Sequence, residues 1–294
     1  MASLSDIKRR IGAVKNTRQI TKAMKMVAGA KLRKATDAAT SARPYQESLS
    51  KVLASVSETI GADSGQPLLT AHESVEKVVL VVFGTDRGLC GSFNTTIFRG
   101  TLKWIEEQKA AGREVELWTI GKKAPPFFKA RGLKAAWATQ EINPGDYMPT
   151  VRGLAERLEA GFVSGEFQEV YLGYNHFVNV LNQPTGFNLF LPMSVEKGED
   201  ETEASGEVTL IDYKYEPDAE SILETLLPLY LQTLLLQAFL ETAAGEQASR
   251  MTAMENATNN ASEIIDNLTL EYNRARQAAI TKELIEIVSG AEAL

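Results

Sequence analysis

Leu4, Ile7, Ile11 and Val14 follow one another at steps of 3, 4 and 3, the spacing of one face of an α-helix. After a polar gap Ile20, Met24 and Val27 resume that rhythm, and Leu49, Leu53, Val56 and Ile60 continue it. Pro44 is the only proline before Pro67 and no Gly-Pro turn intervenes. The pattern therefore predicts one helix over residues 3–58, roughly 80 Å long at about 1.5 Å per residue. Ala28, Gly29, Ala30, Ala35, Ala38, Ala39 and Ala42 crowd its middle with small side chains, which would let a partner helix approach closely.

The rhythm changes after the linker GADSGQP at 61–67. EKVVLVVF (76–83) is a short, continuous apolar run, the pattern of a strand buried on both faces. A glycine-rich loop and a helical stretch, FNTTIFRGTLKWIEEQKAAG, follow it. Next come a strand EVELWTI, a helix or turn GKKAPPFFKARG, a helix at 149–163, and FQEVYLGYNHF with a β-rich tail through residue 193. Strand and helix signals alternating at this spacing imply a Rossmann-like βαβ unit with a mostly parallel sheet. EKGEDETEASGE (196–207) reads as a solvated acidic loop or hairpin.

The third zone opens with PDAES at 217–221, a proline and acids where a helix N-terminus favours them. Met251, Met254, Thr258, Ala261, Ile265, Leu268, Tyr272, Ala275 and Ala279 then step by alternating 3 and 4, an unbroken heptad seam. Ile280, Leu284 and Ile287 are expected to carry it on with a one-residue phase shift. The pattern predicts a second long helix over 218–289, kinked rather than broken at Pro228. A heptad seam needs a facing helix, and chain ends joined by a central unit pair antiparallel. The implied fold is α/β: a long antiparallel two-helix coiled coil formed by the N- and C-terminal helices, plus the central βαβ domain. The expected division is 1–60, 75–210 and 217–294.

Charge sharpens this picture. The chain's 294 residues carry a net charge of −7. Residues 1–35 hold ten Lys or Arg against the single acid Asp6, leaving 21 cations and 37 acids for the rest, a net of −16. A basic arm on an acidic body points to an anionic partner. No aromatic residue lies in the first 40 positions, so the arm lacks the stacking groups of a nucleic-acid binder, and an acidic protein surface fits better. One cysteine cannot form an internal disulfide, which fits a reducing compartment. The most apolar run, 226–240, is interrupted by Gln232 and Gln237 and falls short of a span.

The candidate chemistry is thin. GTDRGLCGSFNT (84–95) places Gly84, Gly88 and Gly91 at a spacing that is neither a dinucleotide fingerprint nor a Walker loop. Three readings stand: a structural turn built on Gly84, Asp86, Gly88, Cys90 and Gly91; an anion or nucleotide sensor using the strand-to-helix junction; and a Cys90 nucleophile, which would need a positioned base. The two histidines, His72 and His176, lie far from Cys90 in sequence, and no H-x-x-x-H or C-x-x-C suggests a metal. Glu241, Glu246, Glu255, Glu263, Asp266, Glu271, Glu283 and Glu286 spread around the last helix and read as a solvated face.

Three stretches resemble one family. ITKAMKMVAGAKLRKA (20–35), TDRGLCGSFN (85–94) and RMTAMENATNNASEII with YNRARQAAITKELIEIVSGAEA (250–265, 272–293) are similar, in that order along the whole chain, to signatures of the γ subunits of F-type ATP synthases. The resemblance implies a rotor shaft. Its coiled coil would turn inside an α3β3 ring, its other end would sit on a ring of c subunits and bind ε, and the nucleotide chemistry would belong to β with α contributing. It implies no cofactor, no metal and no active site in this chain, no nucleic-acid partner, and membrane association only through the complex. The setting implied is the cytoplasmic face of a bacterial inner membrane rather than a mitochondrial matrix. Carried over by motif, the rotor–stator contacts would be Lys22, Met24 and Lys25 in the first helix and Arg250, Arg276, Gln277, Thr281 and Glu283 in the last. Only Cys90 is present, so the cysteine pair of photosynthetic relatives, and thiol control with it, is not implied.

Overall fold

The computed structural model describes residues 3–60, 66–193 and 218–292. The start of the 61–67 linker, the 196–207 acidic stretch, the boundary at 210 and Pro217 lie outside them. Ten elements follow in order: α1 (Leu4–Ile60), β1 (Lys77–Phe83), α2 (Phe93–Ala110), β2 (Glu114–Ile120), α3 (Ala124–Lys129), β3 (Trp137–Thr139), α4 (Met148–Val163), β4 (Glu169–Asn175), β5 (Thr185–Leu191) and α5 (Ala219–Glu292). Both long helices are continuous through their prolines, Pro44 in α1 and Pro228 in α5. Each starts on a side-chain cap. Ser3 Oγ accepts from the Asp6 amide, and Asp218 Oδ1 accepts from the Ser221 amide.

The chain divides into two compact units, Lys31–Ser249 and the pair of segments Met1–Ala30 with Arg250–Leu294. The first contains a five-stranded sheet in the order β3-β2-β1-β4-β5. β1 pairs parallel with β2 and β4, β2 parallel with β3, and only β5 runs antiparallel, against β4. β1 is central, which explains its unbroken Val/Leu composition, because both its faces are covered. Val79, Val81 and Phe83 face a core made with Leu49, Leu53 and Val56 of α1, Val151, Leu154, Leu158 and Phe162 of α4, and Leu223, Leu227, Leu231, Leu235 and Phe239 of α5. Val78, Leu80 and Val82 point the other way, to Ile97, Phe98, Trp104 and Ile105 of α2 and Phe128 of α3. α5 is long and apolar enough to pass for a membrane span by length and composition. Leu223, Leu227, Leu231 and Leu235 are instead part of this core.

In the second unit the start of α1 and the last part of α5 pair antiparallel. Thr21 meets Thr258, Lys25 meets Glu255, and Gly29 lies 3.5 Å from the Met251 sulfur where a Cβ would stand. The α5 seam falls where the spacing places it: Met254, Ala261, Ile265 and Leu268 are buried, and Met251, Thr258, Tyr272, Ala275 and Ala279 half-buried. Two expectations need correcting. On α1 the covered positions are Leu4, Ile7, Ile11, Val14, Arg18, Thr21, Lys25 and Ala28, so the seam keeps strict heptad phase through polar and small residues. Ile20 and Val27 are off it, 60% and 56% exposed. On α5 the seam stops at Ala279. Ile280, Leu284 and Ile287 do not extend it, because among the described residues α1 starts at Leu4 and no helix faces this end of α5.

Candidate functional site

The loop after β1 spends its polar groups on itself. The Thr85 amide donates to Asn94 Oδ1, Asn94 Nδ2 donates to Thr85 Oγ1, and Thr85 Oγ1 donates to the Arg87 carbonyl. Asp86 reaches outward as a clamp. Its Oδ1 accepts from the amides of Lys122 (2.9 Å) and Glu141 (3.2 Å), and its Oδ2 from that of Ile142 (3.1 Å). It thereby ties the loop after β1 to those after β2 and β3. Gly84 packs where a Cβ would lie 2.9 Å from the Phe98 ring, and Gly121, at φ +88°, where one would lie 2.8 Å from the Thr85 backbone. Gly91 is at φ +59°, and Leu89, exposed, holds a left-handed φ of +61°.

Cys90 is buried, with Asn94 Nδ2 3.5 Å from its sulfur. Neither histidine is its base: His72 Nε2 lies 3.1 Å from the Phe162 carbonyl and His176 engages Glu241. In a sheet of this order a ligand would enter at the switch between β1 and β4, outside the strands' carboxyl ends. Here that end is filled by protein. Asn175, at the end of β4, donates to the Phe93 carbonyl at the start of α2, and Thr185 Oγ1 donates to Asn175 Oδ1. Gly245 of α5 packs so closely on Phe93 that a Cβ would sit 2.8 Å from its ring. This arrangement favours the structural reading of residues 84–92 over the sensor and the nucleophile.

The polar centre of the unit is one that the sequence reading missed. Glu241, placed there on a solvated face, is buried. Its Oε2 lies 3.4 Å from His176 Nδ1 and accepts from the Phe177 amide at 3.3 Å. Its Oε1 accepts from Gln237 Nε2 at 2.8 Å and lies 3.8 Å from Arg43 Nη2. Arg43 also donates to the Phe177 carbonyl, and Asn188 Nδ2 is 3.0 Å from His176 Nε2. One carboxylate thus joins α1, α5 and the β4–β5 connection. Gly186 leaves the imidazole its place, since a Cβ there would meet His176 Nε2 at 2.5 Å. Burial pushes the Glu241 carboxyl up, but the hydrogen bonds from His176 and Gln237 and the imidazole's charge outweigh it and hold the group below its usual range. Tyr174, its ring tilted against that of His176 with centroids 4.2 Å apart, is shifted up by burial and by that carboxylate. The available signal was Gln237 and Glu241 four apart inside an apolar run, a spacing that puts both on one helix face.

The inferred contact residues fall into three groups. Lys22 is exposed and Met24 half-buried on α1, while Lys25 bonds Glu255 at 2.6 Å within its own chain. Arg250 is only 8% exposed. Arg276, Gln277, Thr281 and Glu283 all lie exposed on the last turns of α5, beside Ile280, Leu284, Ile285, Ile287 and Val288, which are 49–67% exposed. Among the described residues no cluster of His, Cys, Asp and Glu could hold a metal ion.

Fold and contacts define a class: a unit of two paired helices, and a Rossmann-like sheet unit whose switch point is filled by its own side chains. The ATP synthase family model matches residues 3–294. The chain is 44% identical over 298 residues to the ATP synthase gamma chain of Hyphomonas neptunium and 45% identical over 296 residues to that of Pelotomaculum thermopropionicum, in each case with all of both chains covered. Among solved structures it resembles a chain from the central stalk and c-ring of Tetrahymena thermophila mitochondrial ATP synthase, with a TM-score of 0.60, 26% identity, and 81% of this chain and 99% of that one covered. A chain of the Euglena gracilis mitochondrial ATP synthase shares the fold, with a TM-score of 0.68 at 19% identity over 99% of this chain and 94% of that one. The chain belongs to the ATP synthase gamma chain family.

Proposed function

We propose that this chain does its work without an active site of its own. As a member of the gamma chain family it is the central rotor shaft of F1Fo ATP synthase, passing torque between the proton-driven c-ring and the catalytic sites of the α3β3 ring. Its partners are the α and β subunits, ε and the c-ring, and it is held peripherally at the cytoplasmic face of a bacterial membrane through them. Two observations support the non-catalytic part of this reading: the closed crevice at the sheet's switch point, and the self-contained bonding around Cys90.

The single observation that carries the shaft reading is the bare end of α5. A run of large aliphatic side chains from Ile280 to Val288 stays exposed on the paired-helix unit. Water disfavours such a surface, so it fits a hydrophobic sleeve supplied by other chains. Arg276, Gln277, Thr281 and Glu283 would be its polar contacts, with Lys22 and Met24 offering charge and an apolar edge nearer the start of α1. Arg250, nearly covered by its own chain, would present little more than an edge of its guanidinium to β. The test is reconstitution: the isolated chain hydrolyses no ATP, and adding it to α and β yields a complex whose ATP turnover depends on it. Equal turnover without the chain would overturn the reading.

A further inference from the structure

We infer that Lys25 and Glu255, with Thr21 and Thr258, form a polar layer that sets the register of the paired helices and keeps them turning as one body. Thr258 Oγ1 lies 2.8 Å from Thr21 Oγ1 and 2.7 Å from the Met254 carbonyl, so its one proton is shared between the two, and Thr21 Oγ1 donates to the Arg18 carbonyl. One turn further along α1, Lys25 Nζ lies 2.6 Å from Glu255 Oε1. The importance of these four residues comes from what surrounds them. Towards the start of α1 the covered positions are Ile7, Ile11 and Val14, and on α5 they are Ile265 and Leu268. Around the layer itself stand Ala28, Gly29 and Ala261. Aliphatic and small layers pack nearly as well after a slip of one heptad, so within this stretch they fix the spacing of the helices more than their offset, which is otherwise held by the core that α1 and α5 share through Leu49, Leu53, Leu231 and Leu235.

The polar layer discriminates. A slip of seven residues one way sets Thr21 against Ile265 and Lys25 against Ser262. The other way sets them against Met251 and Ala248. In either case the hydroxyl pair is lost and Lys25 leaves Glu255. The second slip brings Arg18 to Glu255 but leaves Lys25 against an alanine, so each wrong register strands a polar group that the observed one partners. Twisting a two-stranded coil loads it as sliding between its strands, and that is the displacement this layer opposes. The ion pair adds little to overall stability, because its side chains are 38% and 46% exposed and solvent screens them. Its role is specificity. It also gives Lys25 a place within the shaft instead of at the stator, a refinement that rests on the rotor-shaft reading above only for its consequence in coupling.

The test uses the full chain with spin labels at the exposed Lys15→Cys and Asp266→Cys in a Cys90→Ser background, measuring the interhelix distance distribution by pulsed electron resonance. The parent gives one population. Lys25→Glu and Glu255→Lys singly are expected to add a second, longer-distance population: an axial slip of one heptad is about 10 Å at 1.5 Å per residue, and across the pair it lengthens the label separation by only a few ångströms. The double exchange Lys25→Glu/Glu255→Lys is expected to restore the single one, with melting temperatures changed by less than about 3 °C throughout. Singles that keep the parent distance, or a double exchange that restores nothing, would overturn the assignment. In the assembled complex the singles are expected to lower ATP-driven proton pumping at least twofold at unchanged hydrolysis, with recovery in the exchange. A shifted register with undiminished pumping would support the register assignment while counting against the shaft reading. Loss in Lys25→Glu alone, with Glu255→Lys silent in both assays, would mark Lys25 as a stator contact and overturn the proposal.

Discussion

From Leu231 to Arg250 no residue of α5 is exposed, whereas among the described residues beyond Asn259 only Ala261, Ser262, Ile265, Leu268, Tyr272, Ala275 and Ala279 are even half-covered. The same helix is a core element in the sheet unit and one strand of a seam in the other. In the sheet unit, packing is three-dimensional and the buried Glu241 is answered by Gln237, His176 and Phe177, while Thr119 Oγ1, Gln237 Oε1 and Thr242 Oγ1 are buried without a hydrogen-bond partner among the described residues. In the paired-helix unit a single stripe is covered and the remaining surface faces outward. One region is built to hold its own shape, the other to present a surface to other chains.

Substitutions should separate the two regions by size of effect. The largest is expected for Phe83→Ala, which empties the space against Tyr174 and Phe239, whose rings lie 5.9 and 5.0 Å away. A loss of about 3–5 kcal/mol should appear in denaturant unfolding. If Ile265→Ala cost as much, the contrast between core and seam would fail. Next comes Glu241→Ala, which strands the Phe177 amide and the Gln237 side chain in a buried setting and takes a charge partner from the half-exposed Arg43. A loss of about 3 kcal/mol is expected, with Glu241→Gln milder because it keeps part of the hydrogen bonding.

The same group has a pH signature. Its carboxyl is held below the ordinary value near 4.5, so its contribution is fully present above that value and is lost as pH falls through the lower folded value. Unfolding measured between pH 6 and 3 should show an acid-side loss that is reduced in Glu241→Gln. Asp86→Ala, removing the acceptor for three amides, should cost about 1–3 kcal/mol with no gain or loss of ligand binding. The smallest effect on folding is expected at the bare end. Leu284→Ser should change stability by less than about 0.5 kcal/mol in the isolated chain, yet weaken assembly or turnover of the complex.

The reading of the sequence followed the strength of each physical signal. EVELWTI is β2 residue for residue, and EKVVLVVF without its Glu76 is β1, because buried strands leave little choice of composition. Asp218 was readable as a helix start from its position between Pro217 and the first turn. The middle of the α1 seam was not legible from apolar residues alone. There the covered face carries Arg18, Thr21 and Lys25, and the apolar Ile20 and Val27 face outward, so counting hydrophobic side chains selects the wrong face. Heptad phase carried from Ile7 and Val14 would have chosen correctly. Glu241 was lost among eight acids of one helix because a sequence does not say which acid has a partner, and His176, Arg43 and Gln237 come to it from distant positions.

The central claim is that the paired helices turn as an axle inside catalytic machinery supplied by other chains. The direct measurement immobilises α3β3 assembled with this chain, attaches a bead to an exposed cysteine placed in the α2 surface, and follows it by video microscopy after ATP is added. The account expects stepwise rotation in one direction that stops when ATP is exhausted. Sustained ATP hydrolysis with the bead stationary would contradict it.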